Sequence, residues 1–176
     1  MYPEYQNSKL RVVCLIGWSG SGKTTLLTRL LPILRRQGAR VLALKHSAHP
    51  HPLHKPGSDT EQLEQAGAAA VGFATPAGVA LTLPGDPASL LADLLPRLSG
   101  AFDLVLVEGW KDGPFPKIEV WRPGLGPRLG EGRSDVKAVV SDEALPGSVR
   151  RFRSDDVDAL ATFILELVRH APEAGE

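Results

Sequence analysis

The hydrophobic and polar positions switch between two periodicities along the chain, which predicts strands alternating with helices. The run Leu10–Ile16 is short, apolar and bounded by charge and glycine, as expected of a buried strand. The segment Lys23–Gln37 instead carries leucines three and four residues apart, which predicts a helix that Gly38 ends. Pro32 lies inside this helix and is expected to kink its last turn.

The same alternation continues through the rest of the chain. Further strands are predicted at Val41–Lys45, Ala70–Thr75, Val79–Leu83, Leu104–Val107, Lys117–Trp121 and Val136–Val140. Further helices are predicted at Ser58–Gln65, Pro87–Leu98 and Asp155–Arg169, with caps at Ser58, Asp86 and either Ser154 or Asp155. The segments Ala70–Thr75 and Val79–Leu83 flank a turn, which predicts either a hairpin or two short strands. The segment Lys117–Trp121 alternates and is expected to be a half-exposed strand. The order of elements predicts an α/β fold, a mostly parallel sheet with helices on both faces.

Composition narrows the class of protein. The chain has 176 residues, of which 20 are basic and 20 acidic, so there is no positive excess to favour nucleic acid or an anionic membrane surface. Cys14 is the single cysteine, and no apolar run approaches the roughly 18 residues of a membrane helix. We therefore expect a cytoplasmic protein with one domain, residues 1–176, whose ends at 1–9 and 171–176 are flexible.

The string GWSGSGKT, residues 17–24, matches the G-x-x-x-x-G-K-[ST] pattern of a P-loop. Glycines allow the tight turn that aims successive N–H groups at phosphates, and the following helix adds its positive end. Lys23 reaches the β- and γ-phosphates, and the Thr24 hydroxyl is a Mg²⁺ ligand. The motif follows a predicted strand and opens a predicted helix, as a P-loop requires. The predicted nucleotide-binding residues are Gly17, Trp18, Ser19, Gly20, Ser21, Gly22, Lys23, Thr24 and Thr25.

A P-loop site needs a carboxylate near Mg²⁺, and two acids flank the strand Leu104–Val107. Ligands of an open parallel sheet lie at the carboxyl ends of its strands, where the P-loop also begins. Glu108 follows the strand, whereas Asp103 precedes it by roughly 17 Å at the rise of a strand. Glu108 is therefore the predicted carboxylate of the metal site.

Two other acids have both a functional and a plain interpretation. Asp59 is a candidate for the Mg²⁺ site or for orienting the attacking water, and the alternative is a carboxylate favoured at a helix N-terminus. Asp142 follows a predicted strand and is a candidate acceptor for the N1 and N2 edge of guanine, and the alternative is a helix cap or a surface acid. The N-K-x-D motif that usually reads guanine is absent from the chain.

Residues 46–57 form a predicted loop with four histidines, for which a metal site and ordinary solvation both remain open: His46, His49, His51 and His54. Lys45 and Lys111 lie at strand ends and are candidates to hold an anionic phosphate, although both also suit a plain surface. Trp121 is a candidate for a dimer seam or for core packing.

Several strings taken together resemble the molybdopterin-guanine dinucleotide biosynthesis protein B (MobB) family. They are IGWSGSGKTTLLTRLLPIL, VLALKH, KPGSDT, DLVLVEGWK, PFPKIEV and VVSD, in family order between about residues 11 and 142. The resemblance implies a P-loop NTPase fold, binding of GTP with slow hydrolysis, and a homodimer. It also implies a role in molybdenum cofactor maturation beside the molybdopterin guanylyltransferase, with molybdopterin itself a possible ligand. The matching positions are Gly17 to Thr25, Asp59, Thr60, Glu108 and Asp142.

The chain departs from the family pattern at three positions. His54 stands where the family often has an acid, and Ser58 stands where it often has lysine. Trp18 occupies the second position of the P-loop, so the second lysine that some P-loop dimers reach across their interface is missing.

The primary hypothesis is a GTP-binding adaptor with at most slow GTPase activity, since no arginine finger or water-orienting glutamine can be placed. A small-molecule kinase is the first alternative, with the glycine- and arginine-rich segment 124–134, expected to be mobile, serving as a lid through Arg128 and Arg133. A binding module that uses nucleotide only to switch partners is the second.

Overall fold

The computed structural model describes residues 11–47, 53–98 and 100–169, apart from the side chain at position 92. The ends expected to be flexible, residues 1–9 and 171–176, lie outside these ranges, as do His49 and His51. The strands are β1 (Arg11–Ile16), β2 (Val41–Lys45), β3 (Val71–Thr75), β4 (Gly78–Thr82), β5 (Leu104–Glu108), β6 (Lys117–Val120), β7 (Val136–Val140) and β8 (Arg150–Phe152). The helices are α1 (Lys23–Arg36), α2 (Asp59–Gln65), α3 (Pro87–Arg97) and α4 (Val157–Arg169).

Six strands form one sheet in the order β2-β5-β1-β6-β7-β8, and every neighbouring pair is parallel. Strands β3 and β4 form a separate antiparallel hairpin. The predicted α/β fold with a mostly parallel sheet is therefore confirmed. Strand β1 lies between β5 and β6, so the loop that leaves β1 is flanked on both sides by the ends of other strands.

Successive side chains of the central strands point to opposite faces of the sheet and contribute to two separate hydrophobic cores. Val13 and Leu15 point to the layer of α1 and α4, whereas Val12 and Cys14 point to the layer that contains α3. All four are buried, because helices cover both faces of the sheet. Burial of each large apolar side chain stabilises the fold by about 1.5–3 kcal/mol relative to leaving it exposed.

Helix α1 ends as its sequence predicts. Gly38 has a left-handed φ of 87°, and its N–H donates to the Arg35 carbonyl while the N–H of Ala39 donates to the Leu34 carbonyl. This pair of bonds is a Schellman motif, which satisfies the last carbonyls and turns the chain toward β2. The helix continues through Pro32 to Arg36.

Three predictions about elements were wrong. Strand β6 is fully buried rather than half-exposed, because it lies inside the sheet between β1 and β7. Strand β8 was missed, since Arg150–Phe152 is short and mostly charged. Helix α4 begins at Val157, so Asp156 precedes it instead of Ser154 or Asp155. None of the helices in the described ranges has the length and hydrophobicity to cross a bilayer.

The pattern of strand β6 predicts a half-exposed strand because two of its residues are charged, but Lys117 and Glu119 are both buried and paired. The ammonium of Lys117 donates to the carbonyls of Gly113 and Phe115 and to the Asp135 carboxylate, at 2.7–2.8 Å. The Glu119 carboxylate accepts from the backbone of residues 129 and 130 and contacts Arg128. Buried charges are tolerated when they are paired and hydrogen-bonded in this way.

Candidate functional site

The P-loop leaves the carboxyl end of β1 and leads into α1. Gly17 has a φ of 150°, and a Cβ at this position would collide with the Val120 carbonyl of β6. Gly22 has a φ of 95°, and a Cβ there would lie 2.9 Å from Nη2 of Arg122. Glycine is therefore needed at both positions, for its backbone conformation and for the close approach of β6. The loop keeps the tight turn by which P-loops aim their N–H groups at phosphate.

Two side chains of the loop point into it. The Lys23 ammonium donates to the carbonyls of Gly17 (3.0 Å) and Trp18 (2.8 Å). Burial lowers the pKa of Lys23, and the nearby Glu108 carboxylate opposes that effect. Ser21 is buried, and within the described residues its hydroxyl has no hydrogen-bond partner. An unsatisfied hydroxyl beside a glycine-rich turn and a lysine fits a loop built to hold an anion.

The structure brings together two of the three residues that the sequence predicts for Mg²⁺, Thr24 and Glu108. The Thr24 hydroxyl donates to Oε2 of Glu108 at 2.8 Å. The contact arises because β5 lies beside β1 in parallel register, with Leu15 opposite Glu108. A hydroxyl and a carboxylate at this distance suit a hard divalent cation. Their role at Mg²⁺ stays a prediction.

Asp142 lies on the opposite side of the P-loop, at the end of β7. It lines a pocket whose other residues are Gly22, Thr25, Leu26, Arg29, Val120, Trp121, Arg122, Val140, Ser141 and Ser154. Its Oδ1 accepts a 2.9 Å bond from the backbone N–H of Ser154. Hydrogen bonding to Ser154 lowers the pKa of this carboxyl, so Asp142 is an ionised acceptor at neutral pH.

Asp59 is placed elsewhere. It opens α2, which Ser58 caps by accepting the Glu61 N–H. It lines a cavity of ≈ 700 Å³ between residues 53–60 and the β3-β4 hairpin, and no P-loop residue is among the residues that line it. Thr24 and Glu108 do not line this cavity, and a role of Asp59 at Mg²⁺ or in orienting the attacking water stays a prediction beside its favourable place at a helix N-terminus.

The histidines show no metal centre in the part of the chain described. There, no cluster of three or more histidine, cysteine, aspartate or glutamate residues is arranged to hold a metal ion. The His46 ring stacks on Trp110 with centroids 5.2 Å apart, and the backbone N–H of His46 donates to the Glu108 carbonyl. His54 lies 3.7 Å from the Glu64 carboxylate.

Two basic residues, Lys45 and Arg122, flank the P-loop from opposite sides. Lys45 pairs in register with Glu108, and its charge contributes to lowering the pKa of Lys23. Arg122 follows β6 and touches Gly22, although the sequence analysis did not single it out. The sequence feature that could have identified Arg122 is its position just beyond a strand, like that of Glu108.

Lys111 lies in the loop that follows β5, and its carbonyl accepts a hydrogen bond from Arg133 at 2.8 Å.

The segment 124–134 is held to the sheet and to the P-loop. Arg128 pairs with Glu119, and Arg133 pairs with Asp135 at 2.9 Å, so both arginines expected in a lid are already bound. Nε1 of Trp18 donates to the Pro127 carbonyl at 2.7 Å.

Trp121 likewise bonds within the chain, since its Nε1 donates to the Gly126 carbonyl at 3.0 Å. It packs against the second core, which favours core packing over a dimer seam.

A family model described as molybdopterin guanine dinucleotide synthesis protein B matches residues 12–142. The chain is 38% identical over 160 residues to the molybdopterin-guanine dinucleotide biosynthesis adapter protein of Escherichia coli, covering 88% of this chain and 91% of that protein. It is 34% identical over 169 residues to the protein of the same name from Haemophilus influenzae, with 94% of each covered.

Solved structures agree with these relatives. A crystal structure of molybdopterin-guanine biosynthesis protein B superposes with a TM-score of 0.66 at 31% identity, covering 90% of this chain and 99% of that one. A MobB protein homolog from Bacillus stearothermophilus superposes with a TM-score of 0.64 at 27% identity, covering 91% and 99%.

Proposed function

The chain belongs to the molybdopterin guanine dinucleotide synthesis protein B family, and we propose that it is an adaptor that binds Mg·GTP and hydrolyses it slowly. The observation that carries the proposal is the 2.8 Å contact between Thr24 and Glu108 beside the Lys23 ammonium. A hydroxyl and a carboxylate in contact beside a glycine-rich loop and a lysine support a site for a metal-bound phosphate chain. The names of the relatives supply the pathway, molybdopterin-guanine dinucleotide biosynthesis.

The residues present fit a bound nucleotide and its metal. Lys23 already lies across the loop and needs only to exchange carbonyl partners for phosphate oxygens. Thr24 and Glu108 would hold Mg²⁺, directly or through water. The metal, when bound, neutralises charge on the β- and γ-phosphates.

Preference for guanine is proposed to come from Asp142. An ionised carboxylate accepts hydrogen bonds from guanine N1–H and N2–H, whereas adenine has an acceptor at N1 and no amino group at C2. Asp142 lines the pocket beside Thr25 and Gly22, on the side of the P-loop away from Glu108. If the guanine base lies in this pocket, the phosphate chain of the nucleotide can extend along the P-loop to Lys23.

The contacts of the arginines favour slow hydrolysis over kinase activity. Arg128 and Arg133 form ion pairs with Glu119 and Asp135, so neither is available to neutralise a transferring phosphoryl group. Fast phosphoryl transfer usually depends on such a positioned arginine. We therefore favour the adaptor, acting beside the molybdopterin guanylyltransferase.

The β3-β4 hairpin supports the proposed homodimer. Val79 and Leu81 lie two residues apart on the same face of β4 and are 78% and 63% exposed, on a hairpin that pairs with no other strand in the described chain. An exposed apolar patch of this kind is typical of a protein interface. Sedimentation should show a dimer that Val79→Asp or Leu81→Asp dissociates and the control Leu125→Asp leaves intact. A monomeric wild type would contradict the proposal.

The first experiment is a calorimetric titration of the full chain with GTP and ATP, with and without Mg²⁺. We expect GTP to bind at least tenfold more tightly than ATP, about 1.4 kcal/mol, and to need Mg²⁺ for full affinity. Lys23→Ala should abolish binding of both. Equal affinities for GTP and ATP would contradict the assignment of guanine recognition to Asp142 and favour a search for a kinase substrate. An unchanged GTP affinity in Lys23→Ala would contradict the assignment of the nucleotide site to the P-loop. A pull-down with the guanylyltransferase then tests the partner.

A nucleotide-switched binding module is the second candidate, because the P-loop contacts a neighbouring surface segment through Trp18 and Pro127. A change in the loop on nucleotide binding would reach that segment directly. Association with the guanylyltransferase that differs between GTP and GDP, with no measurable hydrolysis, would favour this candidate.

A further inference from the structure

The guanidinium of Arg122 lies along the last glycine of the P-loop. A Cβ built on Gly22 would stand 2.9, 3.4 and 3.7 Å from Nη2, Cζ and Nε of this arginine. The group therefore packs against the backbone that begins α1, where a P-loop presents N–H groups to phosphate. With no side chain at Gly22, the guanidinium has room to lie beside the backbone at this point.

This arginine has no structural partner that explains its position. It is exposed, and within the described residues it forms no hydrogen bond or ion pair. Hydrogen bonds with Ser154 are the main cause of the lowered pKa of Asp142, and the positive charge of Arg122 adds a smaller contribution. Arg29 lines the same pocket but is bound to Asp155 and to the Ser154 carbonyl, both at 3.0 Å. Arg122 is thus the arginine of this pocket with its donors uncommitted.

The order of the strands decides which phosphate Arg122 can reach. Strands β5 and β6 lie on opposite sides of β1, so Glu108 and Arg122 flank the P-loop from opposite sides. The Thr24–Glu108 pair marks the metal end of the triphosphate, which is the β,γ end. The side of Arg122, with Thr25 and Asp142, is therefore the end of the α-phosphate and the nucleoside.

Building on the proposed nucleotide binding, we propose that Arg122 binds the α-phosphate of the bound nucleotide. A planar guanidinium offers two parallel N–H donors to two phosphate oxygens. It would supply in cis, from the end of β6, a positive charge at the part of the triphosphate that lies farthest from Lys23 and Mg²⁺. Because GTP and GDP share the α-phosphate, the contribution should be the same for both.

The test compares GTP and GDP binding by calorimetry in wild type, Arg122→Gln, Arg122→Lys, Lys23→Ala and the matched control Arg97→Gln. Arg97 is exposed on α3 and does not line the pocket. We expect Arg122→Gln to weaken GTP and GDP by about the same factor, tenfold or more, as for loss of a charged hydrogen bond. Arg122→Lys should recover part of the affinity, and Arg97→Gln should bind like wild type. The melting temperature of the nucleotide-free protein should be the same in Arg122→Gln and wild type.

The outcomes separate this inference from the function on which it rests. If wild type binds GTP and Lys23→Ala does not, while Arg122→Gln binds like wild type, the α-phosphate assignment is wrong and the proposed function stands. A loss for GTP without a loss for GDP would place Arg122 on the γ-phosphate and also overturn the assignment. Failure of wild type to bind GTP would overturn the proposed function itself, and the assignment with it.

Discussion

Thr24 on α1 donates a 2.8 Å hydrogen bond to Glu108 at the end of β5, across 84 positions of sequence. The bond joins the residue that P-loops use for Mg²⁺ to the carboxylate that we propose for the same metal. It exists because β5 pairs with β1 in parallel register. The sheet, and not the loop alone, therefore brings the proposed metal ligands together.

Substitution of Glu108→Gln should remove the dependence of GTP binding on Mg²⁺. Glutamine keeps an oxygen for the Thr24 hydroxyl but lacks the charge that attracts a divalent cation. Calorimetry should show a GTP affinity without Mg²⁺ close to that of wild type, and little gain when Mg²⁺ is added. Glu166→Gln, on the exposed face of α4, is the control and should retain the gain. A full Mg²⁺ effect in Glu108→Gln would exclude Glu108 from the metal site.

Loss of the Asp135 charge should destabilise the fold through Lys117. Lys117 is fully buried and its ammonium bonds to Asp135 at 2.8 Å, so Asp135→Asn leaves an uncompensated buried charge. We expect a loss of about 2–3 kcal/mol in unfolding free energy, below the roughly 3–5 kcal/mol of a fully buried pair because Asp135 is 38% exposed. Urea unfolding measures the loss, with Asp93→Asn on α3 as the control.

The double variant Lys117→Met with Asp135→Asn provides a second check on this pair. Replacing the buried lysine by an apolar side chain of similar length should recover much of the stability that Asp135→Asn loses. A double variant less stable than Asp135→Asn would show that the bonds of Lys117 to backbone carbonyls, rather than its pairing with Asp135, dominate.

Acid should weaken the link between the amino-terminal ends of β2 and β5. Side-chain hydrogen bonds from Arg40 lower the pKa of Asp103 to about 2, against about 3.9 in an unfolded chain. Because the folded pKa is the lower one, the stabilisation is fully present well above pH 4 and is lost as pH falls toward 2. The stability difference between wild type and Asp103→Asn in urea should therefore be larger at pH 7 than at pH 3. A difference that grows on acidification would contradict this assignment.

A methyl group at Gly126 should disturb the contact between the P-loop and segment 124–134. Its Cβ would lie 2.8 Å from the Trp18 indole, and its φ is 141°. Gly124 also has a positive φ, 84°, but a Cβ there meets nothing within 4 Å, so Gly124→Ala is a matched control for backbone strain. We expect Gly126→Ala to lower the unfolding free energy by about 1–3 kcal/mol more than Gly124→Ala does, because of overpacking. Equal losses in the two variants would mean that Trp18 moves aside without cost.

The elements closest to β1 could be predicted from local sequence. The P-loop motif follows from residues 17–24, the end of α1 from Gly38, and the place of Glu108 beside the P-loop from its position at the end of an apolar strand. Each of these depends on a few consecutive residues and on one rule, that parallel strands present their carboxyl ends at a common edge. The α/β class follows from the alternation of strand and helix for the same reason.

Only the tertiary structure decided which strand ends lie on which side of the P-loop. The pattern of β6 indicates a half-exposed strand because its charges, Lys117 and Glu119, find partners up to 18 residues away that no local pattern reveals. The same placement of β6 beside β1 brings Arg122 to Gly22, while α2 and the hairpin hold Asp59 in a separate cavity. Periodicity reports which face of an element is buried, but strand order is set by long-range packing of all the elements together, and for this reason the sequence alone did not reveal Arg122.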